Sequence, residues 1–76
     1  MTQNEKVLRY LRDKGTITPL EAYREFGIMR LASRIADLKK KGYPIERTMI
    51  AVENRYGEKV SFAEYHLLES DWTELD

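Results

Sequence analysis

One stretch constrains this chain more than any other: Thr18 to Ile45, T-P-L-E-A-Y-R-E-F-G-I-M-R-L-A-S-R-I-A-D-L-K-K-K-G-Y-P-I. Thr18 has the chemistry of a helix N-cap, Pro19 suits the first helical position, and Glu21 is placed to reach back to the cap. Phe26-Gly27-Ile28 supplies a residue that tolerates a left-handed backbone, so a second helix can leave at a steep angle. Beyond it Leu31, Ile35 and Leu38 recur at i, i+4 and i+7, with Ile28 and Ala32 on the same side. The other side carries Arg30, Ser33, Asp37, Lys40 and Lys41, flanked by Met29 and Arg34. Gly42 and Pro44 then stop the helix before a strand. A helix apolar on one side and cationic on the other is built to be presented to something acidic, which points to nucleic acid.

At 76 residues the chain reads as one small domain. A chain of this size buries only about 60% of its unfolded surface, so each large apolar residue counts. With no cysteine, neither a disulfide framework nor a zinc–thiolate site supplements the core. The start of the sequence does not resemble a secretory leader, and no apolar run approaches the roughly 18 residues of a membrane span. A soluble, cytoplasmic protein is expected. The formal charge is zero, yet its distribution is uneven. Six basic residues face two acidic ones between Arg30 and Arg47, a local excess of four positive charges. Between Leu68 and Asp76 there are four acids and no base. Counterion release responds to the local patch, so overall neutrality does not exclude DNA.

Around the central stretch, Thr2-Gln3-Asn4-Glu5 again has capping-box spacing and opens a first helix whose stripe is Val7, Leu8 and Leu11, ended by Gly15. Thr16-Ile17 allows only a short edge strand. The second helix covers about Pro19 to Phe26 and the third about Met29 to Lys41. Ile45 to Glu53 is rich in β-branched and apolar residues, Asn54-Arg55-Tyr56-Gly57 is turn chemistry, and Lys59 to Leu67 alternates. This is a β-hairpin with its tip at Asn54 to Glu58. Both faces of its second strand hold apolar residues, so the register stays open and a bulge is allowed. After it, Ser70 has the chemistry to cap one helical turn, with Leu68, Trp72 and Leu75 spaced to share a face.

The order helix, short strand, helix, turn, helix, hairpin, with L-K-K-K-G-Y-P-I closing the third helix, resembles the winged helix-turn-helix family, in particular its small stand-alone phage and prophage members. The resemblance spans about Asn4 to Leu67. It implies an α+β fold, a three-helix bundle with a short strand and a C-terminal β-hairpin wing over residues 1–67, followed by an acidic tail over 68–76. Many members place a small residue four before the turn glycine; here that position is Tyr23, with Ala22 one earlier. The resemblance further implies sequence-specific binding of double-stranded DNA by a small transcriptional regulator, with the third helix in a major groove. Met29, Arg30, Ser33 and Asp37 would then face bases. Thr18, Arg34, Lys40 and Lys41 would meet phosphates, and Arg55, Tyr56 and Lys59 would form the wing contact. A homodimer on two half-sites would supply specificity.

Plainer readings stand beside these. Arg30 and Arg34 also serve simply to solvate a helix face, and Lys39 to Lys41 to complement the helix dipole. Asp37 is spaced to pair with Arg34 or Lys41. Trp72 would anchor the tail or touch a partner. The competing function is a winged-helix module that binds protein and not DNA, with the acidic tail as one contact. Catalysis is the weakest class: there is no cysteine nucleophile, no phosphate-binding glycine loop and no metal-ligand cluster, and no cofactor is implied.

Overall fold

The structure, a computed structural model, describes residues 2–68. The expected helical turn at Ser70, the anchoring role of Trp72 and most of the acidic tail lie outside those residues.

Each of the first two helices begins where its cap dictates. Before α1 (Gln3–Lys14), Thr2 Oγ1 accepts the Glu5 N–H at 3.1 Å, and Glu5 Oε1 accepts the Thr2 N–H at 2.8 Å. Before α2 (Pro19–Phe26), Thr18 and Glu21 repeat the exchange at 3.2 and 2.9 Å. Each box satisfies N–H groups that a helix start leaves without an intrahelical acceptor. Gly27 ends α2 in the left-handed region, φ 68°.

The third helix, α3 (Leu31–Lys40), starts two residues later than the sequence pattern implies. After the left-handed turn Ile28 drops into the core, its N–H donating to the Ala22 carbonyl at 3.2 Å, while Met29 stays outside. Arg30 becomes the N-cap and makes no side-chain capping bond. Burying Ile28 thus fixes the entry, and helical backbone begins only once the chain has swung onto the new axis.

A three-stranded antiparallel sheet, in the order β1-β3-β2, closes the bundle. β1 (Thr16–Ile17) pairs with the end of β3 (Lys59–Leu67), through Thr16 with His66 and Ile17 with Tyr65. β2 (Ile45–Glu53) pairs along the whole of β3, from Ile45 with Leu67 to Glu53 with Lys59. The ladder has no bulge. Its register is pinned at both ends. At the base Ile17, Ile45, Tyr65 and Leu67 share one face and enter the core. At the tip Asn54 Oδ1 accepts the N–H groups of Tyr56 and Glu58, and the Asn54 N–H donates to the Glu58 carbonyl at 2.9 Å.

The core joins Val7 and Leu11 of α1, Ala22 of α2, Ile28, and Leu31, Ile35 and Leu38 of α3 to that inner sheet face. Each large aliphatic buried there contributes about 1.5–3 kcal/mol relative to exposure. Beyond Ile50 the hairpin leaves this core: every residue from Ala51 to Ser61 is exposed. The molecule is accordingly elongated, 47 × 25 × 20 Å. Among the described residues no helix is long and apolar enough to cross a membrane.

Candidate nucleic-acid interface

At 100° per residue, burial of Leu31, Ile35 and Leu38 turns Ser33 and Lys40 directly away from the core and Ala36 partly toward the hairpin side. All three are exposed, as are Met29 and Arg30 at the entry to the helix. Met29, Arg30 and Ser33 therefore gather at the outward, N-terminal end of α3, and Lys40 lies two turns along the same side.

The two flanks of α3 differ. Toward α1, Arg34 Nη2 meets Asp37 Oδ2 at 3.4 Å across one turn, and Asn4 Nδ2 lies 3.5 Å from the same oxygen. Arg34 and Asp37 are thus only part-exposed and occupied with each other. Lys41 is exposed on this flank, near Glu5. The Glu5 carboxyl is held below its usual range, chiefly by the Thr2 N–H, then by the Thr2 hydroxyl, with a small contribution from Lys41.

Toward the hairpin, α3 and β2 enclose a cleft of about 670 Å³. Ala32, Ala36 and Lys39 line one wall, and Ile45, Arg47 and Tyr65 the other. Lys39 and Arg47 are exposed cations at its rim. Glu46 also borders it, with Oε1 3.7 Å from His66 Nε2. The sequence signals only charge at Lys39 and Arg47. Their convergence depends on the hairpin register, which two-faced alternation leaves open.

Thr18 has both donors engaged, its N–H and its hydroxyl reaching Glu21 Oε1 at 2.9 and 3.2 Å. Tyr10 adds its hydroxyl to Glu21 Oε2 at 3.3 Å. The start of α2 therefore already holds a carboxylate where a phosphate was expected, and Pro19 supplies no N–H. Arg55 and Tyr56 sit at the hairpin tip and Lys59 one residue beyond the loop, all exposed. The Asn54 side chain organises that tip through Tyr56 and Glu58. Trp72 lies outside the described residues.

A second depression, about 520 Å³ and almost wholly apolar, lies between α2 and the wing and is lined by Leu20, Tyr23, Ile28, Met29 and Phe62. Sequence periodicity could not assemble it, because Phe62 belongs to the strand face opposite the core. Among the described residues no group of three or more His, Cys, Asp or Glu is arranged to hold a metal ion.

A family model of the winged helix-turn-helix domain matches residues 2–70. No curated protein and no solved structure gives a significant match.

Proposed function

Since the chain belongs to the winged helix-turn-helix family, a fold of DNA-binding proteins, we propose that it is a sequence-specific binder of double-stranded DNA and a small phage-type transcriptional regulator. The observation that carries this reading is the exposed, outward side of α3 beside a projecting hairpin. In a major groove about 12 Å wide, Arg30 donates to a guanine edge, Ser33 meets a neighbouring base, and Ala36 offers a methyl to thymine. Met29 packs at the edge of the same contact. Lys40, with Lys39 and Arg47 around the cleft, neutralises the phosphates that run between helix and wing. Arg55, Tyr56 and Lys59 take the adjacent groove or its backbone. Arg34, Lys41 and Asp37 set the charge on the α1 flank, and Asp37 reaches bases only if its pair with Arg34 opens.

A single module of this kind buries roughly 600–1,000 Å² of protein surface, so strong discrimination comes from two copies on two half-sites. Fluorescence anisotropy with labelled duplexes at several salt concentrations tests the reading. Affinity falls steeply as salt rises, Lys40→Ala makes the fall shallower, and Arg30→Ala flattens the preference among sequences. Absence of duplex binding at low salt overturns the proposal and leaves a protein-binding module.

A further inference from the structure

The cleft between α3 and β2 has an unusual combination of surfaces. Ala32, Ala36, Ile45 and Tyr65 make about half of its lining apolar, while its rim carries the exposed cations Lys39 and Arg47 with the single acid Glu46 beside them. A fitting occupant has an apolar group to fill the space and negative charge to meet the rim. Bare phosphate supplies only the second.

The chain itself supplies both. β3 ends at Leu67, paired with Ile45 of the cleft wall, and the Leu68 N–H donates to the Pro44 carbonyl at 2.9 Å. The chain therefore leaves the described fold beside the cleft. Its last eight residues are Glu69-Ser70-Asp71-Trp72-Thr73-Glu74-Leu75-Asp76, four acids without a base, interspersed with one tryptophan and one leucine. At about 3.3 Å per residue, four residues of extended chain reach about 13 Å from Leu68, which sets how far Trp72 can be from the cleft. Tethering over so few residues raises the effective concentration to the millimolar range, so even a weak intrinsic contact is populated.

We propose that the cleft between α3 and β2 is the docking site of the chain's own acidic segment, residues 69–76, with Trp72 against the apolar part of the lining and the carboxylates facing Lys39 and Arg47. Where the DNA-binding reading above holds, and this part rests on it, the docked segment competes with duplex for the same cations. Binding then displaces it, and removing it strengthens association.

Trp72 is the chain's one tryptophan, so its emission reports the contact directly. In the full chain at low salt, emission is blue-shifted and less accessible to acrylamide than in a free peptide of residues 68–76. Both differences shrink in high salt, in Arg47→Glu, and in a full chain carrying Glu69→Gln, Asp71→Asn, Glu74→Gln and Asp76→Asn, which leaves the described fold untouched. Emission identical to that of the free peptide at low salt overturns the proposal. So does emission that changes with protein concentration, which assigns the cleft to the segment of a second copy. In the second arm, a chain ending at Leu68 binds a random duplex severalfold more tightly than the full chain, and duplex addition red-shifts Trp72. Equal affinities of the two forms overturn the competition. If neither form binds duplex, the DNA-binding reading fails, while the emission data still decide whether the segment docks.

Discussion

Arg34 and Asp37, one turn apart on α3, hold each other at 3.4 Å and turn together toward Asn4 of α1. The pair divides the cationic helix into an occupied flank and an open one. Both side chains are about a third or more exposed, 33% and 41%, so the pair itself adds little stability. Asp37→Ala is expected to change unfolding free energy by about 1 kcal/mol or less in urea titrations. Its effect on DNA is larger in kind, since it removes an anion and releases Arg34. Non-specific duplex affinity rises and its salt dependence steepens, read by anisotropy.

Lys39 and Arg47 border the same cleft, whereas Ser33 faces outward. Lys39→Ala or Arg47→Ala should weaken binding to all duplexes alike and lower the salt slope by about one each. Ser33→Ala should leave that slope unchanged and alter the ranking of sequences. Competition between duplex libraries, set beside salt titrations, separates the two outcomes.

Gly27 joins α2 to α3 at φ 68°, with open space where a Cβ would go. The cost of Gly27→Ala is therefore backbone strain without a clash, about 1–2 kcal/mol. For a domain this small, each kcal/mol lowers Tm by about 4–8 °C. Calorimetry should show that fall. A wild-type Tm would mean that the turn relaxes.

Asn54 ties the wing tip through the N–H groups of Tyr56 and Glu58 and through its own amide to Glu58 Oε1 at 3.1 Å. This loop is exposed throughout, so Asn54→Ala should cost about 1 kcal/mol or less globally. Hydrogen exchange at Tyr56 and Glu58 should quicken, and duplex affinity should drop through a looser wing.

Glu5 closes the α1 capping box as a carboxylate, and its pKa is lowered chiefly by the bond from the Thr2 backbone. A lowered folded-state pKa stabilises the fold above the ordinary glutamate range, and that stabilisation is lost as pH falls through the lowered value. Glu5→Gln should flatten this part of the acid limb in melts recorded between neutral and acidic pH. An unchanged acid limb would assign the dependence to other carboxylates.

How much of this was legible beforehand depends on how local the information is. Thr2 with Glu5, Thr18 with Glu21, and Gly27 act within a few residues, and the sequence places all of them correctly. Tyr23 shows the limit. Many family members have a small residue four before the turn glycine, where this chain has Tyr23; in the structure Ala22, one position earlier, is the buried residue and Tyr23 is 57% exposed. Which of two neighbours turns inward is decided by where α1 and α3 lie, and no spacing within α2 records that. The hairpin register was hidden for a related reason: Val60 and Phe62 make one face apolar, while Ala63, Tyr65 and Leu67 do the same for the other. Only the docking of Ile45, Tyr65 and Leu67 on the helices breaks the tie. The cationic character of α3 and the spacing that lets Asp37 pair with Arg34 or Lys41 are local and legible, but the contact of Asp37 with Asn4, thirty-three positions away, is not.

The brevity of β1 has a mechanical consequence. Past Tyr65 the central strand loses its second neighbour, so the outer hairpin continues as a two-stranded ribbon with bare rims. Such ribbons coil more strongly than wide sheets and hold their curvature only through their own pairing. The arm's pitch is thus set by its own ladder and not by the hydrophobic centre, so it can change while the helices keep their posture.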